Sequence, residues 1–358
     1  MHETHKYAKH SLLVALVCIG LASASIANAA EPAKTTPSVS NARKPKTDAE
    51  LKRWLENMIW YHGFSTDEVI SATGLTAGEI RTATQRWDIR PETRPAANPQ
   101  APLVTLPYPG GRHPRIGFLD GAINPQRETK LSIFTPWDPS SYVVADMPEA
   151  IWTNLGLTYL AHTHVPTVWM KRNLELEKTE WQLKPDGSLF TERTLPNGIY
   201  FSVLAIPTKS VVWFEMTVRN GSDQPLSGHT DQYKKHAGLR IQQCVMLKAA
   251  KGFNQQINDN KLVDSEKNAG SPYVAARNAD GNRWIITAWN PMESAWANPP
   301  CPCIHSDALI PPIPVGETRT ARGLVAFYEG KDIQQEFKRL DKLDWQKALP
   351  GAKKPAVE

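Results

Sequence analysis

The sequence has 358 residues, of which 41 are Lys or Arg and 36 are Asp or Glu, so its formal charge at neutral pH is +5. So small an excess, without any basic stripe, excludes the strongly basic surface on which nucleic-acid binding depends. The length is sufficient for a domain with a sizeable core and a smaller module beside it.

The amino-terminal residues 1–29 have the order of a secretory signal peptide. Two lysines precede an apolar run over residues 12–21, and small residues lead to a cleavage site at Ala29. The run is shorter than the roughly 20 residues that span a bilayer, so we expect an exported chain without stable membrane insertion. Residues 30–47 are rich in Pro, Ser, Thr and Lys and are predicted to be a disordered tether.

Residues 48–89 are predicted to form a small module of three helices. Gly63 ends the first helix, and the capping boxes Ser65–Glu68 and Thr76–Glu79 open the other two. The tight turn between the last two helices resembles a helix-turn-helix. Because an exported protein does not meet a genome, we expect this module to dock on the main body or on a partner. Residues 90–114, with seven prolines, are predicted to be a linker.

The longest segment, residues 115–330, consists of short β-rich runs separated by turns such as Pro196-Asn197-Gly198. Many short strands without amphipathic helices between them indicate an antiparallel sandwich. Residues 331–349 are predicted to be a helix that packs on the sheets through Ile333, Phe337, Leu340 and Leu343. The predicted fold is therefore mainly β: a large antiparallel β-sandwich, a three-helix domain before it and a C-terminal helix after it.

A family resemblance lies within residues 180–253. The phrase VVWFEMTVRNGSDQPL, which begins at Val211, resembles the strand and turn of galactose-mutarotase-like supersandwich domains and related carbohydrate-active sandwiches. The resemblance implies a sugar site on the concave face of a large sheet, built from His, Glu, Arg and aromatic residues. The segments HPRIGFLDGAINP, AHTHVPT and CPCIHSD also resemble a group of uncharacterised exported bacterial proteins, which implies a location.

Two histidines, His162 and His164, lie one residue apart in the β-rich run LAHTHVPTVW. On a strand they project from the same face. This spacing suits two imidazole ligands of one metal ion or two acid/base groups. The alternative is that one histidine is hydrogen-bonded in the core and the other is exposed.

A second alternating run contains Cys301, Cys303, His305 and Asp307. If it is extended, all four side chains lie on one face, where they could bind a metal or transfer protons. Zinc is the first choice, with copper or manganese as alternatives. Because thiols oxidise in an exported protein, a disulfide from Cys244 to one of the other two cysteines is an equally open interpretation.

Polar and aromatic residues elsewhere complete the predicted site. Glu215 lies among apolar residues of its strand, where its pKa would be raised for acid catalysis, although a place on the solvent face is the alternative. Arg127 is predicted to bind substrate. Indole rings stack on sugars, which makes Trp169, Trp213 and Trp289 candidate substrate contacts, although at least half of the tryptophans are expected in the core.

Together these patterns predict an exported carbohydrate-active enzyme that catalyses glycoside cleavage, elimination or epimerisation. Its site would combine His162, His164 and His305 with Asp307 or Glu215, as metal ligands or as acid/base groups. A non-catalytic protein that binds a glycan or a partner, and an exported metal carrier, remain the alternative functions.

Overall fold

The computed structural model describes residues 42–110, 127–161, 165–228, 237–253, 272–298 and 302–350. Its helices are α1 (Asp48–Leu55), which continues as a π-helical turn (Glu56–Tyr61), α2 (Thr66–Thr73), α3 (Ala77–Arg86) and α4 (Ile333–Asp341). Both predicted capping boxes are present at the starts of α2 and α3. Within the described part of the chain, no helix is both long and apolar enough to cross a membrane.

The described strands form two antiparallel sheets of seven strands each, which confirms the predicted mainly β fold. The first sheet has the order β1-β2-β3-β9-β13-β12, with β4 paired to β3; the second has the order β10-β11-β14-β8-β7-β6-β5. The strands are β1 (Thr105–Pro107), β2 (Lys130–Thr135), β3 (Asp138–Thr153), β4 (Gly156–Leu160), β5 (Gln182–Leu183), β6 (Leu189–Thr194), β7 (Ile199–Pro207), β8 (Val211–Asn220), β9 (Leu239–Met246), β10 (Tyr273–Arg277), β11 (Arg283–Asn290), β12 (Met292–Asn298), β13 (Cys303–Ile310) and β14 (Thr318–Glu329).

The main core lies between the two sheets. Successive side chains of a strand point to opposite faces, and the inward set of each sheet is apolar. Ile133, Val245 and Ile304 of the first sheet belong to the same buried cluster as Phe214 and Val325 of the second. Each sheet therefore has one face in this core and one outer face. The side chains that alternate with the core residues along each strand form the outer face.

The outer face of the second sheet is covered by the C-terminal helix. Ile333, Phe337 and Leu340 of α4 pack in one buried cluster with Trp213 and other side chains of that sheet. The predicted docking of this helix is thus found. Leu343, predicted on the same face, is 41% exposed, because α4 ends at Asp341 and the helical spacing does not extend to it.

Part of the outer face of the first sheet is covered by the amino-terminal helices. His62, which follows the π-helical turn, is buried, and its Nε2 lies 2.7 Å from Ser132 Oγ on β2. Tyr61 packs edge-on against Phe134 of the same strand. Arg43, within the segment predicted to be a tether, forms ion pairs with Glu128 and Glu180. These contacts join the helices and the residues before them to the sandwich.

Two turn glycines offer a matched test of close packing. Gly198 and Gly187 both have positive φ, at +86° and +83°, but a Cβ on Gly198 would lie 2.4 Å from the carbonyl oxygen of Gly221, whereas one on Gly187 meets nothing within 4 Å. Gly187→Ala should cost about 1–2 kcal/mol for the left-handed backbone. Gly198→Ala should cost a further 1–3 kcal/mol or so for the clash. Urea unfolding measures both, and equal losses would contradict the close approach.

Candidate functional site

One row of side chains crosses the outer face of the first sheet. Strand pairing places Lys130 on β2 opposite Asp146 on β3, and Asp146 opposite Cys244 on β9. On the far side of the sheet, His305 of β13 lies opposite Trp296 of β12. Because the neighbours of these residues in sequence point into the core between the sheets, all five face the other way. We call these five residues the polar row.

The row begins with a completely buried ion pair. Lys130 Nζ lies 3.2 Å from Asp146 Oδ2, and neither side chain is exposed to solvent. Lys130 also donates to the carbonyl oxygen of Ala161, at 3.1 Å, and Thr129 Oγ1 donates to Asp146 Oδ1, at 2.7 Å. Buried charges persist when they are paired and hydrogen-bonded in this way. The pair therefore holds the end of β4 against β2 and β3.

Glu149 reaches the row through an irregularity of β3. The pairing of β3 with β9 shifts register between Asp146 and Ala150, and such bulges re-aim side chains. The Glu149 carboxylate accepts a hydrogen bond from Gln242 Nε2, at 2.9 Å, and its Oε2 lies 3.9 Å from His305 Nδ1. The bulge thus places a carboxylate beside the imidazole.

His305 lies at the centre of the buried groups on this outer face. It is 1% exposed, and its ring stacks on Trp296 with the centroids 3.7 Å apart. Nε2 lies 3.2 Å from Cys303 Sγ. Burial lowers the pKa of His305, but Cys244, Glu149 and Asp307 together raise it to about 9. A positive charge on this imidazole is therefore favoured by its neighbours.

Asp307 is held in place by four hydrogen-bond donors. It accepts hydrogen bonds from Arg240 (2.6 Å), Trp296 Nε1 (2.9 Å), Ser294 Oγ (3.2 Å) and the backbone N–H of Gln243 (3.2 Å). One of its oxygens lies 3.8 Å from His305 Nδ1. A carboxylate held by so many donors acts as a fixed negative charge that orients Arg240 and Trp296.

Three buried residues of this face could hold a metal ion. The ligand atoms of Cys244, Cys303 and His305 lie within 4.8 Å of one another. Both cysteines are free thiols, and burial raises the pKa of Cys244. Cys301, the other partner considered for a disulfide and a predicted metal ligand, lies outside the described residues, as do His162 and His164. The joint site of the three predicted histidines therefore stays a prediction.

Two predicted residues lie on the other sheet. Glu215, on the outer face of β8, forms a half-exposed ion pair with Arg322, at 2.8 Å. Trp213, two residues earlier, is buried beneath the C-terminal helix. The structure brings His305, Asp307 and Cys303 together as predicted from their alternation, but it does not bring Glu215 or Trp213 to them.

The other predicted tryptophans fill the core. Trp169 is 2% exposed, and its Nε1 donates to the carbonyl oxygen of Thr158. Trp289 has no exposed surface and stacks on Phe214 between the sheets. Neither indole is placed to meet a substrate. The half-buried tryptophan of the candidate site is Trp296, which the sequence patterns did not single out.

Arg127 borders a separate cleft of 740 Å³ between the amino-terminal helices and the sandwich. Its guanidinium lies over the ring of Trp54, donates to Pro109 and pairs with Glu180. Burial lowers the pKa of Arg127 to about 10. Other residues around this cleft include Glu50, Arg53, Trp60, Tyr61, Tyr108, Trp181 and Leu183. Arg127 therefore lies at the wall of this cleft.

Sequence comparison adds no family assignment. No protein-family model matches the chain, and no curated protein is significantly similar to it. Structure comparison finds similarity to a kojibiose phosphorylase from the human microbiome (8% identity, 58% of this chain and 26% of that chain, TM-score 0.34). Further similar structures are the Slr1438 protein of Synechocystis sp. PCC 6803 (10%, 56% and 88%, 0.31) and the heparan sulfate lyase HepC of Pedobacter heparinus (13%, 71% and 40%, 0.29).

The chain thus spans about a quarter of the phosphorylase. Two of these three distant structural neighbours are named as carbohydrate-active enzymes.

Proposed function

We propose that this protein is an exported carbohydrate-active enzyme whose reaction takes place on the outer face of the first sheet. One observation carries the proposal: His305, Glu149, Arg240 and Trp296 are assembled on that face. Imidazole, carboxylate, guanidinium and indole are the groups that the resemblance to mutarotase-like domains implies for a sugar site. The substrate contacts this face through three half-buried side chains, those of Gln242, Ser294 and Trp296.

The arrangement favours removal of a proton from a sugar carbon. Such a step needs a base and a nearby positive charge that stabilises the carbanion as it forms. Glu149 is the base. His305, whose Nδ1 lies 3.9 Å from Glu149 Oε2, supplies the positive charge or N–H dipole beside the reacting carbon. Trp296 offers an indole surface against which a sugar ring packs.

Glycoside cleavage is less well supported by the same geometry. It requires two carboxyl groups, one of which donates a proton to the leaving oxygen. Asp307 accepts hydrogen bonds from Arg240 and three further donors, so its oxygens are occupied by protein groups and are not placed to donate a proton to a leaving oxygen. Epimerisation or elimination is therefore the proposed reaction.

The test is a screen of uronate-containing and neutral polysaccharides with the purified mature chain. Elimination is followed by ultraviolet absorbance of the unsaturated product, epimerisation by deuterium uptake from solvent, and hydrolysis by reducing ends. We expect one of the first two signals, and Glu149→Gln should reduce its rate by roughly 10²–10⁴-fold, the contribution of a general base.

The matched control is Glu215→Gln, which changes a carboxylate on the other sheet. It should leave the rate within about twofold of the wild type, because Glu215 lies outside the proposed site. Reducing ends as the main product would contradict the proposed chemistry. Polysaccharide binding without turnover in the wild type would instead indicate a non-catalytic binding protein.

A further inference from the structure

One buried cluster consists of Cys244, Cys303 and His305, and its two thiols take no part in the proposed proton transfer. All three residues are buried, and their ligand atoms lie within 4.8 Å of one another. We infer that they bind a thiophilic metal ion, Zn²⁺ or Cu⁺, through two thiolates and His305 Nε2. Cys244 was not among the ligands predicted from sequence, whereas the predicted ligands His162, His164 and Cys301 lie outside the described residues.

The distances suit a single ion. Zn–S bonds are about 2.3 Å and Zn–N bonds about 2.0–2.1 Å, so a thiolate and an imidazole on one ion are separated by at most about 4.4 Å. Cys303 Sγ and His305 Nε2 are 3.2 Å apart, within that limit. The ion therefore needs only small side-chain adjustments to bind all three groups.

The surroundings select the type of metal. Cys244 and Cys303 belong to an apolar cluster with Phe134, Tyr142 and Met246. Soft thiolate ligands favour Zn²⁺ or Cu⁺, whereas Mn²⁺ prefers carboxylate and water oxygens. Among the sequence-based alternatives, manganese is therefore the one that this ligand set disfavours.

The side of the imidazole that points away from the cysteines is arranged as in metal sites. When Nε2 binds the ion, Nδ1 carries the proton and faces Glu149 at 3.9 Å and Asp307 at 3.8 Å. Nearby carboxylates orient a metal-binding histidine and fix its tautomer. Stacking on Trp296 restrains the ring further. Metal binding is tested without any sugar and the sugar reaction by its products, so the two proposals can succeed or fail independently.

The experiment titrates the reduced, metal-free mature chain with Co²⁺ as a spectroscopic probe, without any sugar. We expect one equivalent to bind and to produce thiolate-to-cobalt charge-transfer bands, which Zn²⁺ abolishes by displacement. Anaerobic Cu⁺ titration against a coloured chelator forms the second arm. Binding of one equivalent of either native ion at these ligands supports the inference, and binding of neither overturns it.

Variants then identify the ligands. Cys244→Ala should weaken Co²⁺ binding by more than the roughly 10–100-fold that follows loss of an outer-shell partner. Glu215→Gln, which changes a carboxylate on the other sheet, should retain both affinity and bands, and loss of the bands in this control would overturn the assignment.

A measurement on the unmutated chain does not depend on the folding of any variant. Because Cys244 and Cys303 are buried even without an ion, alkylation is measured in urea that transiently opens the fold, where bound Zn²⁺ should slow the modification of both thiols, as determined by mass spectrometry. Equal alkylation with and without Zn²⁺ would contradict the inference. A disulfide that contains Cys244 or Cys303 in the protein isolated without reductant would also contradict it.

Discussion

Replacing Lys130 with methionine should lower the free energy of unfolding by about 3–5 kcal/mol, the usual cost of removing one partner of a buried ion pair. The change leaves the Asp146 carboxylate buried without the ammonium group that lies 3.2 Å away. It also removes the donor to the Ala161 carbonyl oxygen. Urea unfolding followed by tryptophan fluorescence measures the loss.

A surface ion pair provides the control. Arg283 Nε lies 2.8 Å from Glu329 Oε1, but the two side chains are 40% and 59% exposed. Arg283→Gln should therefore cost less than about 1 kcal/mol. The double change Lys130→Met with Asp146→Leu should recover much of the stability, because it leaves no buried charge unpaired. A single Lys130→Met variant as stable as Arg283→Gln would contradict the buried pair.

Replacing Trp289 with alanine should also lower the free energy of unfolding by about 3–5 kcal/mol, as large-to-small changes in a core do. Trp289 has no exposed surface and packs against Phe214. Gly323 on the neighbouring strand leaves room for the indole, since a Cβ there would lie 2.3 Å from the ring. The indole is therefore part of the packing between the sheets.

Trp296→Ala distinguishes the two kinds of tryptophan. Trp296 is half-buried, so its removal should cost less stability than removal of Trp289 while it weakens sugar turnover. Thermal melting and the polysaccharide assay together measure both effects. A stable Trp289→Ala variant with lost turnover would restore Trp289 as a substrate contact and contradict its structural role.

The fold was predictable where local chemistry determines local structure. The serine and threonine caps of α2 and α3 were evident from residues three apart. Alternating β-rich runs with turns between them indicated antiparallel sheets. The order of strands in each sheet was not predictable, because it depends on pairings between segments far apart in sequence, such as β3 with β9.

The candidate site was predictable only in part for the same reason. Alternation along β13 placed His305, Asp307 and Cys303 on one face, as the structure has them. Asp146 and Glu149 reach that face from β3, and the bulge that directs Glu149 has no clear signature in the sequence. Glu215 had the right chemistry, but alternation cannot tell which sheet a strand joins.

The tryptophans illustrate a further limit of prediction from the sequence. An indole that fills a core and an indole that stacks on a sugar are the same residue in similar apolar runs. Trp289 and Trp296 lie seven residues apart, one between the sheets and one on the outer face beside His305. The turn between β11 and β12 separates these two environments, and burial rather than composition assigns their roles.

Oxidative footprinting of tryptophans, with and without a polysaccharide that the proposed screen identifies as a substrate, tests the location of the site most directly. We expect the polysaccharide to protect Trp296 on the outer face of the first sheet. Trp54 and Trp60, which border the cleft beside the amino-terminal helices, should be oxidised at an unchanged rate. Protection of Trp54 and Trp60 with Trp296 unaffected would place the sugar in that cleft and overturn the proposed location of the site.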